Sequence, residues 1–178
     1  MSNPSAKMFV SVGEKFACVK ISGQANFTSS IDFKTLVDEL LQKGCTDFVL
    51  DLTDCLLMDS TFLGVLAGFG LKMSGLPADN VKRRLELFNP NPRIAELLEN
   101  LGVLHLFELA EGEIRLPEKV ESCGCATASP TRDEVKRTCL EAHRTLMEIN
   151  PDNVTRFKDL TQFLAEDLKK RNAAKPPA

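Results

Sequence analysis

A short polar group stands directly before an apolar run near the middle of the chain. Asp59, Ser60 and Thr61 are followed by residues 62–71, all of which are apolar or glycine. A Ser or Thr hydroxyl at a helix start accepts a hydrogen bond from a free first-turn amide, and an Asp there suits the positive end of the helix dipole. The same amides can hold a phosphate, which adds about −1.5 to −2 charges to a serine. The stretch therefore predicts a helix cap or a phosphorylation site, and the two are compatible.

The motifs of a serine hydrolase and of a phosphate-binding loop are missing from the sequence. It contains no G-x-S-x-G nucleophile elbow, and its histidines are His105 and His143. No G-x-x-x-x-G-K-[ST] phosphate loop occurs either. We therefore expect a protein that is not an enzyme, without catalytic residues and without a cofactor.

One cluster of residues has the chemistry of metal ligands. Cys123 and Cys125, together with Cys139 and His143 four residues apart on a helix face, can supply three thiolates and an imidazole for Zn²⁺. The C-x-C spacing is tighter than the usual C-x₂₋₄-C, however, and Cys139 also belongs to an apolar helical stripe. A zinc site remains an alternative, and no metal ligand is assigned.

Composition limits the class of protein. With 178 residues, 43% of them hydrophobic, the chain can bury a core, and its net charge of −3 does not suggest a nucleic-acid partner. The apolar run 62–71 is far shorter than the ~20 residues of a membrane helix, and the N-terminus lacks the pattern of a secretory signal. The six cysteines are dispersed, as is typical of a reducing compartment. We expect a cytoplasmic protein without membrane insertion.

The hydrophobic pattern predicts an α/β domain over residues 1–111. Strands are predicted at 8–12, 16–22, 48–52, 83–88 and 105–109, and helices at 31–44, 60–74 and 92–101. Gly23 is expected to end the second strand, and Ser29 or Ser30 to cap the first helix. The order β-β-α-β-α-β-α-β predicts a mixed sheet packed with helices, with its later strands parallel.

A different pattern begins after the predicted domain. Residues 112–130 have no period and contain prolines, glycines and small residues, which predicts a linker. Residues 131–172 then predict a helical hairpin, whose first helix begins with a capping box at Thr131 and Glu134. The predicted buried stripes are Val135, Cys139, Ala142, Leu146 and Ile149 on the first helix, and Val154, Phe157, Leu160, Leu164 and Leu168 on the second. These stripes can pack on the domain or pair with a second copy in a homodimer.

The helix at 60–74 is apolar around most of its circumference. It is therefore either almost wholly buried, or part of its surface is an exposed docking patch. Gly64 and Gly68 form a GxxxG pair, which in a helix this short predicts close backbone packing.

The motifs in combination resemble a known family. The segments FVLDLTDCLLMDSTFLGVLAGFGLKM and LELFNPNPRIAELLENLGVLHLFEL look like a STAS domain of the bacterial anti-sigma factor antagonist type, over about residues 8–110. The resemblance implies a STAS-like fold and a role in transcription regulation. Its implied partners are an anti-sigma factor that is also a serine kinase of the GHKL type, and a phosphatase. It implies Ser60 as the phosphorylated residue and Thr61 as a secondary site.

The resemblance also implies a partner-binding surface on two segments. These are the loop after the second strand and the start of the helix at 60–74, with Gly23, Gln24, Asn26, Asp59, Ser60, Thr61, Phe62, Val65, Leu66 and Phe69 as candidates. The chain departs from the family pattern at Phe62, where a glycine is usual, and at Asn26, where an acidic residue is common. A constitutive STAS interaction module, such as a scaffold or a transport-complex subunit, is the alternative function. In that case the Asp59–Ser60 pair would only cap the helix.

Overall fold

The fold is a mixed β-sheet packed with helices. The computed structural model describes residues 5–75, 81–125 and 129–176. The strands in these ranges are β1 (Lys7–Val12), β2 (Phe16–Ala25), β3 (Asp47–Asp51), β4 (Cys55–Met58), β5 (Arg84–Phe88), β6 (Glu108–Ala110) and β7 (Glu121–Gly124). The α-helices are α1 (Phe27–Gln42), α2 (Ser60–Gly75), α3 (Pro92–Asn100), α4 (Arg132–Ile149) and α5 (Asn153–Ala174), and a short 3-10 helix spans Leu104–Leu106.

The sheet has the order β6-β5-β3-β2-β1-β7, with β4 paired to the far end of β2. Strands β2, β3, β5 and β6 are parallel, because helical crossovers connect them, whereas β1 is antiparallel to both of its neighbours. The tight β1–β2 turn is closed by the Gly13 amide, which donates to the Phe16 carbonyl at 2.8 Å. The predicted α/β class and mixed sheet are thus confirmed.

The main core lies between the sheet and the helices. Alternate residues of β3, such as Phe48 and Leu50, point into it, whereas Val49 points to the opposite face. On that opposite face Val49 belongs to a smaller cluster that Ile114 and Val120 cover. Part of the predicted linker therefore shields the second face of the sheet.

Two strands were not predicted from the sequence. The first, β4, pairs with residues 23–25 of β2, so β2 continues past Gly23, which has a φ of +91° and marks a shift in register. The Asn91 side chain holds β4 by donating to the Cys55 and Leu56 carbonyls at 3.0 and 3.1 Å. The second, β7, lies inside the predicted linker 112–130 and pairs with β1. The prediction that Gly23 ends its strand is wrong, and the predicted linker 112–130 contains a strand.

Two further predictions are corrected. The first helix begins earlier than predicted, because Asn26 rather than Ser29 or Ser30 is its N-cap, with Ser29 at the third helical position of the capping box. The predicted strand 105–109 is instead the 3-10 turn around His105 followed by β6.

The C-terminal helices form the predicted hairpin, and α4 packs on α2. The capping box of Thr131 and Glu134 is present. On α5 the buried side chains are Asn153, Thr161, Leu164 and Leu168. Leu160 and Val154, predicted in that stripe, are exposed. The buried side of α5 includes Asn153 and Thr161, because Asn153 Nδ2 and the Thr161 hydroxyl donate to backbone carbonyls, although Asn153 Oδ1 has no partner among the described residues.

Candidate functional site

Asp59 connects the starts of two helices. One carboxylate oxygen, Oδ1, accepts from the Phe62 amide of α2 at 2.8 Å, and the other, Oδ2, accepts from the Phe27 amide of α1 at 2.8 Å. The Asp59 amide in turn donates to the Ala25 carbonyl at the end of β2 at 2.9 Å. Burial raises the pKa of the Asp59 carboxyl, while the hydrogen bonds from the Phe62 and Phe27 amides act in the opposite direction. The cap of α2 is therefore Asp59, and the Ser60 hydroxyl is left for another contact.

That contact is with a histidine of the C-terminal hairpin. Ser60 Oγ lies 2.9 Å from His143 Nε2, and His143 Nδ1 lies 2.7 Å from the Cys139 carbonyl oxygen. Because a carbonyl only accepts, Nδ1 carries a proton, and in the neutral ring Nε2 is then the acceptor for the Ser60 hydroxyl. The ring is 2% exposed and packs edge-on against Phe157 at 4.7 Å. Ser60 thus faces α4 and keeps only partial exposure.

The contact continues along α2 through small residues. The Thr61 hydroxyl, in a residue that is 5% exposed, donates to Cys139 Sγ at 3.4 Å. A Cβ added at Gly64 would lie 2.5 Å from the Ala142 carbonyl oxygen, so the two backbones touch there. At Gly68 the nearest atom to such a Cβ would be Thr145 Cγ2 at 3.8 Å, an ordinary contact. The close packing predicted from the GxxxG pair occurs against α4, mainly at Gly64.

The large apolar side chains of α2 point elsewhere. Phe62, Leu66 and Phe69 belong to the main core, and the Phe62 ring packs 5.0 Å from that of Phe33. Phe62 and Leu66 have no exposed surface and Phe69 is 4% exposed, so these three candidates pack mainly in the core in this conformation. Of the four apolar candidates on α2, Val65 alone keeps partial exposure. Phe62 fills the space between α1 and α2 instead of narrowing access to Ser60.

The two predicted binding segments do lie together. Gly23 and Gln24 pair with β4, and Asn26 caps α1 beside the amide that Asp59 holds. Sequence reasoning missed three exposed apolar side chains beside these segments: Phe27 on α1 (48% exposed), and Leu56 (63%) and Leu57 (37%) on β4. The positions of Leu56 and Leu57 depend on β4, a strand that no periodic pattern predicted.

The metal alternative receives no support from the geometry. Cys139 Sγ and His143 Nδ1 are 3.5 Å apart, but the described residues contain no group of three or more His, Cys, Asp or Glu side chains placed to hold a metal ion. Cys123 is exposed on β7. Burial raises the pKa of the Cys139 thiol, which disfavours the thiolate that a metal binds.

Comparison with known proteins identifies the family. The STAS domain model matches residues 10–116, and the chain belongs to the STAS domain family. Two solved structures are similar at 14% identity: the anti-sigma factor antagonist SpoIIAA in its unphosphorylated form (TM-score 0.47, covering 57% of this chain and 84% of that chain), and the Bacillus cell fate determinant SpoIIAA in the phosphorylated form (TM-score 0.45, covering 57% and 86%). No curated protein sequence matches this chain significantly. None of the described helices is both long and apolar enough to cross a lipid bilayer.

Proposed function

We propose that the protein is a cytoplasmic binding protein of the anti-sigma factor antagonist type, controlled by phosphorylation of Ser60. Its proposed partners are an anti-sigma factor with GHKL-type serine kinase activity, and a phosphatase that restores the unmodified form. The observation that carries the proposal is the position of Ser60 within a STAS domain. It is the first residue of α2 and directly follows the Asp59 cap.

The hydrogen bonds of Asp59 support a switch that leaves the fold intact. Because Asp59 caps α2 and holds α1, the Ser60 hydroxyl is not needed for either helix start. A phosphate on Ser60 would place about −1.5 to −2 charges beside the Asp59 carboxylate. Two neighbouring negative groups repel an acidic surface and are costly to bury against an apolar one. Phosphorylation would therefore weaken binding without unfolding the domain.

The docking surface is proposed on the exposed end of the sheet next to Asp59. The end of β2 with Gly23 and Gln24, and the cap residue Asn26, provide polar groups there. Phe27, Leu56 and Leu57 add apolar surface, which favours a partner with a complementary apolar patch.

The direct test is intact-mass analysis and peptide mapping of the protein purified from the cells that produce it. A mass increase of one phosphate, mapped to Ser60 and absent in Ser60→Ala, is expected. Thr61→Val is the matched control, because it removes the neighbouring hydroxyl and reports phosphorylation at the secondary site. A protein that stays unmodified through growth and stress would contradict the proposal.

A constitutive STAS interaction module is the second candidate, and the Ser60–His143 contact favours it. A hydroxyl bonded to a buried histidine at 2.9 Å is not presented to a kinase in this conformation. Under this candidate Ser60 only helps to hold α4. The two candidates differ in one measurable property: Ser60→Asp reduces partner binding if the serine is a switch, and has no effect on a partner that binds only at Phe27, Leu56 and Leu57.

A further inference from the structure

The start of α2 is covered by a segment of the same chain. Four residues on one side of α2, Ser60, Thr61, Gly64 and Gly68, meet Cys139, Ala142, His143 and Thr145 of α4. The Ser60 hydroxyl, which the proposed switch would modify, thus contacts α4 at the start of α2. A kinase must bring its phosphoryl group to Ser60 Oγ, where the imidazole now lies 2.9 Å away.

We propose that α4 is an intramolecular competitor for this side of α2, and that phosphorylation of Ser60 and docking of α4 exclude each other. The inference rests on the proposed function, because it takes Ser60 as the modified residue. A phosphate adds three oxygens beyond Oγ. With His143 in its present place, the added group would have to occupy the space of the ring, which now lies 2.9 Å from Ser60 Oγ. Displacement of α4 removes this conflict.

The composition of the contact fits a reversible interaction. The side of α2 under α4 presents two hydroxyls and two glycines, whereas its large side chains, such as Phe62 and Leu66, are buried in the main core. Departure of α4 therefore uncovers small and polar groups of α2, which water can solvate at little cost. A helix side with exposed phenylalanines would instead promote aggregation.

The hairpin also has a fixed end about which α4 can move. Asn153 Nδ2 donates to the Leu101 carbonyl at 2.9 Å and to the Leu146 carbonyl at 2.8 Å, and Leu146 is buried in the main core. These contacts hold the α4–α5 turn against the end of α3. The contacts to Ser60 and Thr61 come from Cys139 and His143, in the middle of α4 and one to two helical turns before Leu146. We therefore expect α4 to leave Ser60 by tilting about the attached turn.

The test uses Cys139 as a built-in probe in the full-length protein. Its thiol contacts Thr61 and is only partly exposed while α4 is docked, so separation of α4 should increase its rate of labelling. Cys18, Cys45 and Cys55 are buried in the domain and report global unfolding. Labelling by a maleimide is followed by peptide mapping over time. Two variants should weaken the contact: Ser60→Asp adds a charge, and Gly64→Ala adds a Cβ that would lie 2.5 Å from the Ala142 oxygen. In both we expect Cys139 to label at least about tenfold faster than in wild type, while the labelling rates of the core cysteines stay unchanged. Gly68→Ala is the matched control and should label like wild type, because its Cβ meets Thr145 at 3.8 Å.

Unchanged Cys139 labelling in Ser60→Asp and Gly64→Ala overturns the proposal. Faster labelling of the core cysteines in Gly64→Ala would mean that this variant destabilises the whole domain. In that case the test is repeated with Ala142→Val, which adds bulk to the same contact from the α4 side. Faster core labelling in that variant as well overturns the proposal, because the hairpin would then be inseparable from the domain. A phosphate mapped to Ser60 together with slow Cys139 labelling contradicts only this inference. Release of α4 by Ser60→Asp in a protein that is never phosphorylated contradicts only the proposed function.

Discussion

Replacement of Asp59 by alanine should destabilise the domain by removing two hydrogen bonds with one substitution. Loss of the α2 cap costs about 1 kcal/mol. The bond to the Phe27 amide involves a charged acceptor, but Phe27 is 48% exposed and water can replace part of that bond, which leaves roughly 1–1.5 kcal/mol. Removal of a buried carboxylate returns some desolvation energy, so we expect a net loss of about 2 kcal/mol. For a chain of this length the corresponding decrease in Tm is roughly 4–8 °C.

The assay is urea unfolding followed by far-ultraviolet circular dichroism, because the chain has no Trp or Tyr to serve as a fluorescent probe. Asp59→Asn separates the two bonds. Its Oδ1 still caps α2, but its amide group faces the Phe27 N–H, so about half of the loss should remain. Asp54→Ala is the control, since its exposed carboxylate forms a surface salt bridge with Lys20 and its loss should cost less than about 1 kcal/mol. An unfolding free energy of Asp59→Ala within about 0.5 kcal/mol of the Asp54→Ala value would refute the assignment of Asp59 as the link between the two helices.

Three further outcomes are expected. Because the pKa of Asp59 is raised in the folded state, the folded protein binds a proton at this carboxyl more readily than the unfolded chain does. The difference in unfolding free energy between wild type and Asp59→Asn should therefore grow in favour of wild type as the pH falls from neutral toward about 4. A difference that stays constant with pH would contradict this. Ser60→Ala leaves the buried His143 Nε2 without its partner and should cost about 1–3 kcal/mol, with a coupling of at least about 0.5 kcal/mol in a double-mutant cycle with His143→Ala; additive effects would refute the contact. Asn153→Ala removes the bonds to two backbone carbonyls, but it also removes the buried Asn153 Oδ1, which has no partner among the described residues. It should therefore lower stability by about 1–2 kcal/mol in thermal unfolding, whereas a loss below about 0.5 kcal/mol would show that the turn is not anchored there.

The sequence predicted the elements that carry a strong period or a cap signal. The helix at 60–74 is a long apolar run, the hairpin over 131–172 has apolar stripes, and the capping box at Thr131 is a local signal that needs no tertiary information. Strands β4 and β7 were missed for the opposite reason. Each has four residues, and each exists because a partner strand offers backbone groups to pair with, which no local pattern reveals.

The candidate site was predicted in part. The position of Ser60 at a helix start was correct, but its hydrogen-bond partner lies 83 residues further along the chain, beyond any local rule. The preference for a Ser or Thr hydroxyl at a helix start suggested Ser60 as the cap of α2, but the cap is Asp59, one residue earlier. The two oxygens of its carboxylate accept from α1 and α2 together. The burial of Phe62, Leu66 and Phe69 could not be derived from a helix that is apolar all around. Which of its sides meets the sheet depends on tertiary packing alone.

The all-round apolar character of α2 now has a physical explanation that connects fold and proposed switch. Phe62 and Leu66 are buried in the main core, and the remaining side, with Ser60 and Gly64, is covered by α4. Neighbouring positions at the helix start therefore have separate roles: Asp59 holds the starts of α1 and α2, Ser60 contacts α4, and Phe62 fills the core. A charge added at Ser60 acts on the α4 contact without removing the cap or a core side chain. A charge at the position of Asp59 or Phe62 would instead disturb the helix cap or the core and so destabilise the whole domain. A reversible modification therefore needs a position such as Ser60, which contributes to neither.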